Sequence, residues 1–185
     1  LIDEIRNQKE EFKTPFFSLS KNIVGESVNS KIEKISSFIK RNKADYIFIT
    51  APENVAWILN IRGFDNPNSP IPNCRMLLTR EKKIYLFTDP SKAKKIIYNG
   101  IIKRNQVINI NKLSEILNKL DHGKMIIDNL SCSIFYERLI RSKFNIVSEN
   151  DPTYHLKSIK NNKEIQGMIK AHILDGVALT KFIYW

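Results

Sequence analysis

The chain has 185 residues, 42% of them hydrophobic and 26% charged, with a formal net charge of +11. Such a composition is ordinary for a soluble globule that builds its own core. No apolar run approaches the roughly 18 residues a membrane span needs, and the acidic, mixed start LIDEIRNQKEEF is not a secretory leader.

The positive charge invites a nucleic-acid reading, which the pattern discounts. The chain carries 29 Ile, 22 Lys and 19 Asn, a bias across three unrelated chemistries that points to drift in base composition. The basic residues are spread out and mostly Lys, without the interleaved aromatics that grip single strands. Cys74 and Cys132 form neither a metal-ligand spacing nor a disulfide framework. They read as reduced thiols of a cytoplasmic protein.

In chain order, residues 1–6 read as the last turn of a helix and 7–21 as a polar, extended connector, with Pro15 pushing the backbone away from helix. Residues 27–43 carry Ile32, Ile35, Phe38 and Ile39 at spacings of three and four, an amphipathic helix capped by Ser27 or Asn29. DYIFIT at 45–50 is a short buried strand, and a helix follows from Pro52 to Leu59. RMLLT (75–79) and KIYLFT (83–88) flank a polar turn and form a hairpin. Residues 89–99 read as a helix stopped by Gly100, 106–110 as a strand, 111–120 as a helix, 124–128 as a strand, 131–142 as a helix and 144–147 as a last strand. Alternating helices and strands with one hairpin imply an α/β domain over 21–150: three layers, with helices on both faces of a mixed sheet.

Residues 151–159 (DPTYHLKSI) read as a second connector. A long helix then starts at a cap on Asn161 or Asn162, with Ile165, Met168, Ile169, Ile173, Val177, Thr180 and Ile183 as its inward face. The chain begins without Met and ends at Trp185 inside this apolar pattern, so both ends are expected to continue into a larger protein.

The densest cluster of unusual residues lies in APENVAWILNIRGFDNPNSPIPNC (51–74), where Trp57, Asn60, Arg62, Gly63 and Asp65 fall close together and four of the seven prolines lie in the same stretch. A helix broken by Arg-Gly that runs into an Asn/Asp/Pro loop is rigid without being regular, and such loops carry function. The plain alternative is a helix docked on a sheet, with Arg62 paired to a carboxylate as a local brace. His122, His155 and His172 show no metal-binding spacing, no phosphate-binding glycine loop is present, and no nucleophile–base pair stands out. His172 reads as a hydrogen-bonded core or interface residue of the long helix. From the residues alone, this is a non-catalytic α/β domain.

Two stretches add a resemblance. AWILNIRGFDNPNSPI (56–71) resembles a segment in the middle domain of Xaa-Pro aminopeptidases, the aminopeptidase P family. LKSIKNNKEIQGMIKAHILDGVAL (156–179) is similar to the first helix of their metallopeptidase domain, through K-N-x-x-E-I-x-G-M, then A-H, then D-G. LIDEI (1–5) and VGES (24–27) also fit the entry into that middle domain. The resemblance implies a linker from an earlier domain (1–20), a ribonuclease-H-like creatinase/prolidase N-terminal domain (21–150), and a connector with the first helix of a pita-bread catalytic domain (151–185). It implies a cytoplasmic hydrolase that removes the residue before proline from Xaa-Pro peptides, using two divalent ions, usually manganese. Their ligands, two Asp, one His and two Glu, would lie outside these residues. No catalytic or metal-binding residue and no cofactor are therefore assigned to this chain, and His172 and Asp175 are not metal ligands. Trp57, Asn60, Arg62 and Asp65 are expected at a cleft rim or domain interface. Partners would be the neighbouring domains and, as is common among such enzymes, a second subunit; neither nucleic acid nor membrane is expected. The same architecture occurs in creatine and proline-dipeptide hydrolases and in a histone-chaperone subunit without metals, which leaves a related hydrolase or a binding module as alternatives.

Overall fold

The computed structural model describes residues 14–66 and 68–185. The helical turn expected at 1–6 and most of the first connector lie outside these residues.

Tyr46–Ile49 (β2) is the strand around which the sheet is built. Its side chains alternate: Ile47 and Ile49 enter one core, Tyr46 and Phe48 the other. A strand buried on both faces must be central, and here it lies between an antiparallel partner, Arg75–Thr79 (β4), and a parallel one, Lys124–Ile127 (β7). The six-stranded sheet runs β6-β5-β4-β2-β7-β8, where β5 is Ile84–Phe87, β6 is Val107–Ile108 and β8 is Asn145–Ser148. The β4–β5 hairpin is antiparallel, while the β5–β6 and β7–β8 pairs are parallel.

Helices cover both faces. On the first, Val28–Arg41 (α2) lays Ile32, Ile35 and Ile39 against Ile47, Ile49, Met76 and Leu78, with Pro52–Leu59 (α3) and Lys94–Tyr98 (α4) beside it. On the second, Leu113 and Leu117 of Leu113–Lys119 (α5) and Ile140 of Ile134–Arg141 (α6) meet Leu77, Phe87, Met125 and Ile127. Phe48 stacks edge-on against Phe87 and Tyr136 at 6.2 and 5.6 Å. Each fully buried Ile, Leu or Phe contributes about 1.5–3 kcal/mol, so the two cores together hold the three layers. The expected α/β/α architecture with a mixed sheet is present.

Several elements differ from expectation. Phe17–Ser18 (β1), read as part of a connector, pairs antiparallel with Ile61–Arg62 (β3), and Phe16 before it is fully buried. Gly63 makes room for that phenylalanine: a Cβ there would come 2.8 Å from the Phe16 ring and 3.1 Å from the Pro72 Cα. The helix expected over 89–99 is confined to α4. Asp89 Oδ1 accepts the Ser91 N–H at 2.9 Å, a local turn that competes with the first helical turn. Residues 152–158 are not an open connector but a helix, Pro152–Ser158 (α7), capped by Asp151. A short helix, Lys21–Val24 (α1), precedes α2. The long helix Asn162–Tyr184 (α8) begins at the expected cap, Asn161, but its apolar stripe is not turned inward: Ile165, Met168, Ile169, Ile173, Val177 and Ile183 are all exposed, and so is His172.

Candidate functional site

The 57–65 stretch is organised by the end of α3. The apolar helix stops at Asn60, which takes a left-handed conformation (φ 53°, ψ 38°) and returns its N–H to the carbonyls of Ala56 and Trp57. Asparagine is among the few non-glycine residues that tolerate this region. A helix ending there leaves carbonyls carrying the negative end of its dipole. Two cations meet them. Lys31 Nζ donates to the Trp57 carbonyl at 2.8 Å, and Arg62 Nη1 donates to the carbonyls of Ile61 and Ala56 at 2.8 and 3.4 Å.

Lys31 is the residue that sequence reading missed. It is 1% exposed. Its ammonium also donates to Asn60 Oδ1 at 2.7 Å and lies 3.8 Å from the Trp57 ring centroid, where the π face attracts a cation. Burial pushes its pKa down to about 8 against the opposing pull of Glu26 and Glu164, and Arg62 and Lys34 lower it further. A signal was available: position 31 lies three after Val28 and four before Ile35, on the apolar stripe of α2.

Arg62 is half-buried, and burial lowers its pKa. It forms no ion pair with a carboxylate among the described residues. The brace expected of it therefore exists, but its acceptors are backbone carbonyls. Its Nε and Nη2 form no hydrogen bond within the described residues, and neither is sealed from solvent. The Trp57 indole N–H is buried without a hydrogen-bond partner there.

Trp57 and Asn60 are thus brought together on Lys31, Arg62 braces the carbonyls at the same helix end, and Asp65 is engaged elsewhere. Its carboxylate pairs with Lys92 at 2.6 Å and accepts the Asn73 N–H at 2.6 Å, tying the two ends of the proline loop together. Phe64 is exposed and stacks on Phe17 with ring centroids 5.6 Å apart.

A second polar cluster sits where β7 and β8 end. Asp128 accepts the N–H groups of Leu130 and Asp151 at 2.8 and 3.0 Å. Asp151 accepts from Asn54 Nδ2 at 2.7 Å and from the Thr153 N–H at 2.8 Å. Burial, and the nearby Asp128 charge to a smaller degree, raise the Asp151 pKa against these hydrogen bonds. Lys157 Nζ completes the cluster on Asn54 Oδ1. These contacts pin α7 to α3 and the sheet. Beside them a groove of about 820 Å³ is lined by Phe38, Leu130, Tyr154 and Leu156, with Arg41 and Glu149 among its charged groups. Among the described residues no group of three or more His, Cys, Asp or Glu side chains is placed to hold a metal ion. All three histidines are exposed, and burial raises the pKa of both cysteines. No described helix is long and apolar enough to cross a membrane.

Comparison with known proteins fits this picture. Xaa-Pro aminopeptidase 1 of Dictyostelium discoideum is 32% identical over 100% of this chain, and Xaa-Pro aminopeptidase ApepP of Drosophila melanogaster is 27% identical, also over 100%. The chain spans only 30 and 31% of the length of these relatives. Among solved structures, X-prolyl aminopeptidase from Caenorhabditis elegans, described as a cytosolic enzyme with a di-nuclear active site, superposes over 100% of the chain with a TM-score of 0.84. At 22% identity that likeness shows the fold, and the chain covers 31% of it. A dipeptidase from Pyrococcus horikoshii matches 84% of the chain and 44% of its own length, with a TM-score of 0.57 and 14% identity. The Creatinase/Prolidase N-terminal domain profile matches residues 7–164. Together with the three-layer fold, that match means the chain belongs to the creatinase/prolidase N-terminal domain family.

Proposed function

We propose that this chain is a non-catalytic part of a metal-dependent Xaa-Pro aminopeptidase, a cytoplasmic metalloprotease that removes the N-terminal residue before proline. In this reading residues 1–20 link from an earlier domain, 21–150 are the middle domain, and 151–185 lead into the catalytic domain. The observation that carries the reading is the similarity across the whole chain to relatives named for this activity, of which it spans less than a third. The exposed apolar stripe of α8 supports it: on this reading the stripe is covered by the domain that follows.

The described residues do not fit a dinuclear metal centre. The neighbouring carboxylates of Asp128 and Asp151 are occupied by backbone N–H groups and Asn54, and no group of three or more His, Cys, Asp or Glu side chains among the described residues is placed to hold a metal ion. No catalytic step is therefore routed through them; the two ions, manganese in this reading, belong to residues outside the chain. The chain's own contribution is a rigid wall. Trp57, Asn60, Arg62 and Asp65 lie at the cleft rim or a domain interface, with the unspent N–H groups of Arg62 available to a carboxylate. A second subunit would assemble through the longer protein.

The test is release of the first residue of an Xaa-Pro-Xaa tripeptide by the longer protein, with manganese and with a chelator. Metal-dependent release is expected. Arg62→Ala in that protein should lower kcat/KM about tenfold while moving the thermal midpoint of the 185-residue chain far less; an unchanged kcat/KM removes Arg62 from the rim. The charge of +11 favours one other reading, a metal-free binding module. That reading requires a longer protein inactive with metal, and DNA binding by the chain that persists at physiological salt.

A further inference from the structure

From Ile165 to Trp185 every residue of α8 is exposed; only Asn161, its cap, and Glu164, in its first turn, are half-buried. A helix of 23 residues, about 34 Å long at 1.5 Å per residue, therefore stands on its first turn. That footing is built beyond what capping needs. Asn161 Oδ1 accepts the N–H groups of Lys163 and Glu164 at 2.9 and 3.1 Å, and Glu164 Oε2 accepts the Asn161 N–H at 2.9 Å. Those three bonds already complete a capping box. Asn161 makes a fourth, donating Nδ2 to the Val24 carbonyl at 2.8 Å, 137 residues away in sequence. The side chain lies so close to the backbone that a Cβ on Gly25 would stand 2.3 Å from Asn161 Oδ1, and Gly25 is itself left-handed at φ +74°.

The 24–26 turn under Asn161 is held in turn. The Gly25 N–H donates to the Lys21 carbonyl at 2.8 Å, and the Glu26 carbonyl accepts Asn60 Nδ2 at 2.9 Å. The Glu26 carboxylate accepts Ser30 Oγ at 2.6 Å and pairs with Lys34 at 2.7 Å. Asn60 is fixed from the other side by buried Lys31.

We infer that residues 24–26, gripped by Asn60 on one side and Asn161 on the other, are a bracket that fixes the direction in which α8 leaves the domain. Asn60 is then a positioning residue as well as a helix stop: it ties the 57–62 turn to the exit helix through the Glu26 carbonyl. If the reading above holds, the bracket sets the angle of the catalytic domain. The test below reads the joint in this chain alone and stands whether or not that reading does.

The discriminating variant is Asn161→Asp. Aspartate caps a helix as well as asparagine, but it has no N–H for the Val24 carbonyl and sets a negative oxygen against it. Asn60→Gly complements it, keeping the left-handed turn and deleting the link to Glu26. Spin labels on Lys40→Cys of α2 and Lys170→Cys of α8, in a Cys132→Ser background, report the pose as a distance distribution. The parent background should give one narrow distribution. Asn161→Asp, Asn60→Gly and Gly25→Ala should each broaden or shift it by several ångströms, while circular dichroism shows helix content unchanged in Asn161→Asp. A parent distribution as broad as the variants', or one left narrow and in place by both Asn161→Asp and Asn60→Gly, overturns the inference.

Discussion

Asp65→Ala should destabilise the chain by about 3–5 kcal/mol, the largest effect expected of any polar substitution in this domain. The Asp65 side chain is 6% exposed and that of Lys92 is 16% exposed, with 2.6 Å between them. Removing the carboxylate leaves a nearly buried ammonium without its counter-charge and strips the Asn73 N–H of its acceptor. The consequence extends past the loop, because the Lys92 carbonyl accepts the N–H of fully buried Phe16 at 2.8 Å. Lys92→Met should cost nearly as much. The double variant Asp65→Ala with Lys92→Met should cost clearly less than the sum, because it leaves no lone charge. Urea denaturation of the four proteins measures this cycle. A loss below about 1 kcal/mol for Asp65→Ala would show that the pair is solvated and the loop held by other contacts.

Lys31→Met should cost about 2 kcal/mol at pH 7, and the deficit should grow with pH. Methionine fills similar volume but leaves the Trp57 carbonyl and Asn60 Oδ1 without the donor they share. The pH dependence follows from the depressed pKa. The folded chain releases the Lys31 proton near pH 8, whereas an unperturbed lysine holds its proton to 10.5. Between these values the unfolded state binds the extra proton, so stability rises with pH, by at most about 1.4 kcal/mol per pH unit for one group. A neutral amine still has two N–H groups for its two acceptors, so deprotonation relieves the burial cost without breaking the contacts. The difference in unfolding free energy between wild type and Lys31→Met, followed from pH 7 to 10, cancels the other groups titrating in that range. A difference that stays flat would contradict a lysine held below its ordinary pKa.

Much of this fold was legible in the sequence, because most of its elements bury one regular stripe. Pro52–Leu59 and Arg75–Thr79 have the bounds their patterns imply, and Ile32, Ile35 and Ile39 face the core as their spacing requires. What was not legible depends on distant partners. β1 and β3 have two residues each and exist because Phe16 found a pocket beside Gly63. At α7 the start signals were present, Asp151 as cap and Pro152 in the first turn. The turn is kept by buried Asp151 reaching Asn54, 97 residues away, and no local pattern announces that. The candidate site was half legible. The rarity of Trp57, Asn60, Arg62 and Asp65 in one stretch marked the place, but not that a buried lysine from another helix holds Trp57 and Asn60, that Arg62 turns to backbone carbonyls and that Lys92 takes Asp65. On α8 the spacing marks the apolar stripe correctly, but it does not make that stripe an inward face, because periodicity says which face is apolar and not what lies against it.

The central claim is that these residues shape an enzyme without performing its chemistry. The most direct measurement is release of the first residue from an Xaa-Pro-Xaa tripeptide with manganese, with the 185-residue chain and the longer protein assayed side by side at equal concentration. Metal-dependent release by the longer protein and none by the chain is the predicted result. Release by the chain itself, abolished by chelator, would contradict the claim and place the metal site among these residues.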